Sequence, residues 1–200
     1  MLKNCNNWLG LLLGTLGRFD ESLEKLAIAH ELDPRSAEVV AAQGYIYRLR
    51  GDYARSIEIL RTAKKMKPES APLRKDLVIS LMLVGDYATA LRELRDVPPA
   101  PGSEGLAPTI RALAGDAESA RRYLQGAEAR PDAAQIGTGI ASVHLALGDR
   151  ASALRWLHAA ADVRRWPVTQ VPVEPYYAKL RGDPEFDRLV RRLGTMQTRR

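Results

Sequence analysis

Apolar and polar positions along this chain repeat on a period much longer than one helical turn. Glycines recur at Gly17, Gly51, Gly85, Gly115 and Gly148, spaced by 34, 34, 30 and 33 residues. Four are followed by aspartate: Asp52, Asp86, Asp116 and Asp149. A glycine that takes left-handed φ ends one helix, and an aspartate caps the amides that open the next. Each Gly-Asp step therefore predicts a tight turn between antiparallel helices.

Aligned on those glycines, the flanking positions fall into register. Five residues later the side chain is always small (Ser22, Ser56, Ala90, Ala120, Ala153), and nine later it is always leucine (Leu26, Leu60, Leu94, Leu124, Leu157). Twelve later stand Ala29, Ala63, Val97, Ala127 and Ala160. Offsets of 5, 9 and 12 share one face of an α-helix, so the segment after each turn is an amphipathic helix with a narrow, close-packing side. Seven residues before the turn stand Gly10, Gly44, Val78, Pro108 and Ala141, and two after the first three turns stand Phe19, Tyr53 and Tyr87. Pro34 and Pro68 close the first two units.

This 34-residue pattern of small, aromatic and proline positions, filled for example by Gly44, Tyr53, Ser56, Ala63 and Pro68, resembles the tetratricopeptide repeat. The resemblance implies an all-α fold, a right-handed α-solenoid of five helix pairs with a C-terminal capping helix. The repeats are expected over about 3–36, 37–70, 71–100, 101–133 and 134–165, followed by a proline-containing connector at 166–182, a cap at 183–194 and a basic tail at 195–200. Repeat four departs from the pattern. It is four residues short, enters through Pro98-Pro99-Ala100-Pro101-Gly102, and has Arg111 and Ala117 where aromatics belong, so a slipped or loosely packed unit is expected there. The segment running through Arg165-Trp166-Pro167 to Leu180-Arg181-Gly182-Asp183-Pro184-Glu185-Phe186 is similar to the end of bacterial tetratricopeptide regions that follow winged-helix, adenylate cyclase or Ser/Thr kinase domains.

Composition narrows the chemistry. Alanine, leucine and arginine crowd the 200 residues, and aromatics make up only 6%, which favours helix over strand. A single cysteine, Cys5, excludes an internal disulfide, and three histidines without zinc-site spacing exclude a structural zinc centre. No apolar run approaches the roughly 18 residues of a membrane span, so the chain reads as soluble and cytoplasmic. Lys3 followed by the apolar run Trp8 to Leu13 is a first repeat helix and not a signal peptide, because a charged amphipathic stretch follows at once with no cleavage site. The net charge of +6 is local. Residues 1–149 hold 19 basic and 19 acidic side chains, whereas residues 150–200 hold 11 and 5.

The candidate chemistry is that of binding. No nucleotide-loop, hydrolase or metalloprotease string occurs, and no enzyme activity, cofactor or metal is expected. His158 and Asp162, one turn apart, lack a third partner and read as helix surface, His144 fills an aromatic packing position, and Cys5 is an unactivated thiol. The basic end (Arg181, Arg188, Arg191, Arg192, Arg199, Arg200) reads as the solvated side of a cap, with no specific nucleic-acid readout and no membrane role. What the resemblance implies instead is a groove lined by first helices. In this register its residues are Asn7 and Leu11, then Ala41, Tyr45 and Arg48, then Lys75, Ile79 and Met82. An apolar lining with two cations suits a protein or peptide partner with apolar and acidic groups. The family's carboxylate clamp is matched only by Lys3-x-x-x-Asn7 in a shifted register, with Asp76 where a cation is needed, so a chaperone adaptor is not expected. Two readings stay open: an adaptor or regulatory arm, or the sensory or oligomerising part, whole or truncated, of a DNA-binding or nucleotide-signalling regulator.

Overall fold

A computed structural model describes residues 2–95, 103–163 and 166–197. The Pro98 to Gly102 entry, Val97, Arg165, Arg199 and Arg200 lie outside the described residues. No strand occurs among those described, and the helices fall into two compact units, residues 1–98 and 99–200.

The first unit holds α1 (Leu2–Thr15), α2 (Phe19–Leu32), α3 (Ala37–Arg50), α4 (Tyr53–Met66), α5 (Ala71–Leu83) and α6 (Tyr87–Leu94). Consecutive helices pair as hairpins, and α1, α3 and α5 lie side by side. The turn glycines Gly17, Gly51 and Gly85 have φ of 76°, 93° and 84°, a region that a side chain makes costly. Asp52 and Asp86 then accept hydrogen bonds from the amides of Arg55 and Thr89, both at 3.1 Å. Both parts of the predicted turn are therefore present.

Close approach within each hairpin comes from the small positions. A Cβ added to Gly10 would stand 2.7 Å from Leu26 Cγ, and one on Gly44 would stand 2.6 Å from Leu60 Cγ. Neither would fit without moving the leucine. Ser22 and Ser56, in the same tight crossing, are fully buried and place their hydroxyls on partners: Ser22 donates to the Gly10 carbonyl at 2.6 Å, and Ser56 meets Ser80 Oγ at 2.9 Å. The hairpins also stack on one another. Ile46 of α3 packs against Gly14 of α1 so closely that any side chain there would collide with it.

The second unit holds α7 (Leu106–Leu113), α8 (Ala117–Glu128), α9 (Gly137–Ala146), α10 (Arg150–Asp162) and α11 (Pro184–Gln197), with 3-10 turns at Ala133–Ile136, Trp166–Gln170 and Pro175–Leu180. Asp116 and Asp149 cap α8 and α10 through the amides of Ser119 and Ser152. In repeat four α7 is only eight residues long, with Ile110 fully buried and Thr109 nearly so. Gly105, opening α7, lies backbone to backbone on Gly139 of α9. Two residues without Cβ let the short helix sit deeper than a longer one with side chains would.

Gly182, with φ of 81°, stands 34 residues after Gly148 and is again followed by aspartate, so α11 begins as the second helix of a sixth unit. Its buried residues are Phe186, Leu189 and Leu193, at offsets 4, 7 and 11 from the glycine in place of 5, 9 and 12. That face shares one apolar cluster with Leu154 and Leu157 of α10 and with Val168, Val171, Tyr177 and Leu180 of the preceding turns. The first helix of the sixth unit is replaced by the 3-10 segment Pro175–Leu180, which is fastened to α9. Tyr176 donates to the Ser142 carbonyl at 2.8 Å, Tyr177 to the Thr138 carbonyl at 3.1 Å, and Lys179 to the Leu145 carbonyl at 3.1 Å. Burial pushes the Tyr177 hydroxyl up and the Lys179 ammonium down from their ordinary ranges. Arg150 donates to the carbonyls of Lys179 and Leu180 and to Asp183, whose carboxylate caps α11 through the Glu185 amide at 2.9 Å. The Arg150 guanidinium beside it holds the Asp183 carboxyl below its usual range.

This packing makes two predictions. Gly105→Ala should force α7 off α9 and cost about 1–3 kcal/mol in chemical denaturation. Gly126→Ala, at an exposed position of α8 where a Cβ meets nothing, should instead stabilise by about 0.5–1 kcal/mol. Leu189→Asp should undock α11, read as loss of amide exchange protection over 184–194, whereas the pair Arg188→Glu and Arg191→Glu, on its exposed side, should leave that protection intact.

Candidate functional site

The candidate residues all belong to the first unit. A spacing of 34 residues sorts them into rows across α1, α3 and α5: Asn7, Ala41 and Lys75; Leu11, Tyr45 and Ile79; Gly14, Arg48 and Met82. In the first two rows every residue is partly exposed. The third row is buried, with Arg48 only 1% exposed and Met82 also in the core.

That burial corrects the reading of Arg48 as an open cation. Its guanidinium lies 5.0 Å from the centre of the Tyr45 ring and 3.2 Å from Asp76 Oδ1, so it joins α3 to α5. Asp76, which spoils a carboxylate clamp in the sequence, is the counter-ion that makes a buried arginine tolerable. Tyr45 is held in place by the same cation and keeps part of its ring exposed. The accessible charge of the lining is thus Lys75, which has no ion pair among the described residues. Asn7 adds a different feature. Its Oδ1 is buried and has no hydrogen-bond partner among the described residues, leaving an acceptor unused.

Elsewhere the side chains considered for chemistry are engaged in structure. Asp162 pairs with Arg192 at 2.5 Å, and His158 lies 3.7 Å from Glu185 across the α10 to α11 junction. Asp162, His158 and Glu185, with Arg150, Leu154, Arg155 and Asp183, line an open recess of about 760 Å³, where Arg150 pairs with Asp183. His144, read as a packing residue, instead sits between two carboxylates: Nε2 is 2.6 Å from Glu128 Oε1 and Nδ1 is 3.3 Å from Asp149 Oδ2. Trp156 Nε1 donates to the same Glu128 oxygen at 2.9 Å. The histidine thus replaces apolar packing with a polar link among α8, α9 and α10. Arg188 pairs with Glu185 on its own helix. Cys5 is exposed, and no group of three potential metal ligands occurs among the described residues. No helix of the described residues is long and apolar enough to cross a membrane.

Stacked helix hairpins with left-handed glycine turns, small and leucine positions in register, and first helices presenting a shared face define a helical-repeat protein. Residues 9–71 match the family model of the tetratricopeptide repeat, and the helices of the chain have the arrangement of tetratricopeptide-repeat structures. Among solved structures it is similar to TTC0263, a thermophilic tetratricopeptide protein of Thermus thermophilus, at 20% identity over 83% of this chain and 94% of that one, with a TM-score of 0.66. PilW, described as a widely conserved type IV pilus biogenesis factor, is similar at 16% identity over 100% and 94% of the two chains, with a TM-score of 0.62. YrrB, described as a tetratricopeptide protein with an unusual peptide-binding site, is similar at 19% identity over 80% and 84%, with a TM-score of 0.51. Comparison with curated protein sequences gives no match. The fold is one of protein-protein interaction modules, and such repeats generally act as non-catalytic scaffolds.

The Arg48 pair yields a stability prediction. Arg48→Met should cost about 2–4 kcal/mol in urea denaturation, because it leaves the Asp76 carboxylate beside an apolar interior. Adding Asp76→Leu to that variant should recover at least half of the loss, since the uncompensated charge goes with it.

Proposed function

We propose that the first unit is the binding part of a cytoplasmic adaptor or regulatory arm, and that it takes a protein segment on the face shared by α1, α3 and α5. The observation that carries this reading is the partly exposed apolar row of Leu11, Tyr45 and Ile79, which three first helices present together for anchor side chains. Lys75, in the row of Asn7, stands beside it and is partly exposed as well. The partner that suits these groups carries apolar anchors next to one acidic group. The peptide-binding site named for YrrB supports the reading by example, as a property of that protein on a similar fold.

The change from the sequence expectation is that one cation, Lys75, does the electrostatic selection, because Arg48 is already paired within the unit. The test is binding of a fluorescent peptide library, with and without acidic residues beside leucine or phenylalanine anchors, to the full chain. Lys75→Glu should weaken capture of the acidic, anchored peptides by about tenfold, and Ile79→Ala should weaken anchored peptides whatever their charge by a similar factor. Both variants should keep wild-type helicity. Equal binding by wild type and both variants, or no binding of anchored peptides by wild type, would overturn the proposal.

A further inference from the structure

The side of α1 turned away from the candidate binding rows carries Leu2, Trp8, Leu9, Leu12 and, just past its end, Leu16, exposed by 70%, 71%, 43%, 56% and 59%. With Cys5, also exposed, they occupy positions 2, 5, 9, 12 and 16 with Trp8 alongside, alternating steps of three and four. At about 100° per residue they fill an arc of about 120°, whereas Asn7 and Leu11 fall outside it. This is the spacing of a helix seam made to meet another helix, and it runs for about 21 Å.

The repeat itself shows what such a face is for. Adding 34 to Cys5, Trp8 and Leu12 gives Val39, Ala42 and Ile46 of α3, all buried, with Ile46 seated on Gly14 of α1. Three of the positions exposed on α1 are therefore buried one repeat later, and the last of them is the one seated on the hairpin before. On α1 they are larger and more apolar than a solvated surface requires.

We propose that a second copy of this chain covers this face, α1 against α1. Three features favour that occupant. The seam holds no charged residue, and the one charge of α1, Lys3, is taken by Asp33 at 2.9 Å, so the face meets its own image without like-charge repulsion. A heptad seam is self-complementary about a two-fold axis. The exposed side chains amount to on the order of 500 Å² per copy, or on the order of 1,000 Å² in a pair, at the lower end of what a specific interface buries. A lipid surface fits less well, because α1 lacks the basic polar side of an interfacial helix.

The experiment is sedimentation velocity of the full chain from about 1 to 100 µM, beside alkylation of Cys5, the single cysteine and a member of the seam. Wild type should pass from monomer to dimer over that range, and Cys5 alkylation should slow by about tenfold with concentration. The double variant Leu9→Glu and Leu12→Glu should remain monomeric with unchanged circular dichroism and a constant alkylation rate. Trp8→Glu, at the edge of the arc, provides a second and milder variant that should weaken the dimer without changing helicity. A wild type that stays monomeric at 100 µM overturns the proposal. So does a dimer that survives both variants, a Cys5 rate independent of concentration, or a monomer that instead floats with phosphatidylcholine or phosphatidylglycerol vesicles through the same leucines. The variants leave Lys75 and Ile79 in place, so loss of the dimer and loss of peptide capture are separate results.

Discussion

The first unit rests on one steric constraint, the close crossing of two helices where a residue without bulk faces a leucine. Gly10 meets Leu26 and Gly44 meets Leu60 at distances that exclude even a methyl group. Dispersion falls steeply with separation, so this closeness, more than the count of apolar residues, holds each hairpin together. It has a polar consequence. Helices this near leave little room for water, and the serines at the crossing must find partners within the protein, as Ser22 and Ser56 do. Where the small position becomes Val78 the third hairpin is built differently. α6 is only eight residues long, and Leu94, the counterpart of Leu26 and Leu60, is only half-buried.

Close hairpins expose two flat sides, and stacking decides which residues of a first helix remain accessible. Along α3, Val39, Ala42 and Ile46 are buried, the last against α1, whereas Ala41 and Tyr45 stay partly open. Arg48 falls one turn after Tyr45, too near the packed side to reach water. Its charge is stabilised by Asp76 and by the tyrosine face. The same pair that removes a cation from the binding lining thus fixes the ring that the lining presents. Position within the stack, and not residue type, separates the structural cation from Lys75.

Most of the fold was legible in the sequence because its determinants are local. Left-handed glycine, capping aspartate and the offsets 5, 9 and 12 all lie within about twenty residues of one another, and four of the predicted aspartate caps are present. What escaped depends on distant partners. Arg48 needed Asp76, 28 residues on, before burial became tolerable, and His144 needed Glu128 from another helix. Repeat four differs from the others in length and in its missing aromatics, and it carries a Gly105 to Gly139 contact that they do not. Its signal was present as two glycines, without a period to connect them. Gly182 kept the 34-residue spacing, but the apolar face after it is shifted by one to two residues, so the alignment that found five turns passed over the sixth.

That shift has a structural cause. A second helix in the standard register would lay Leu and Ala positions on its own first helix and present a fresh stacking side to solvent. α11 has no first helix of its own, because Pro175–Leu180 forms a 3-10 turn fastened to α9. Turning the buried face to Phe186, Leu189 and Leu193 lets α11 lie on α10 directly and leaves Arg188 and Arg191 outward. The polar outer side is what terminal repeats require for solubility, and here it is obtained by rotating a helix on its axis. α1 at the other end of the described chain shows no such device, its outward side being leucine and tryptophan. The two helices thus treat the same kind of face in opposite ways, α11 burying its apolar stripe on α10 and α1 leaving its own exposed.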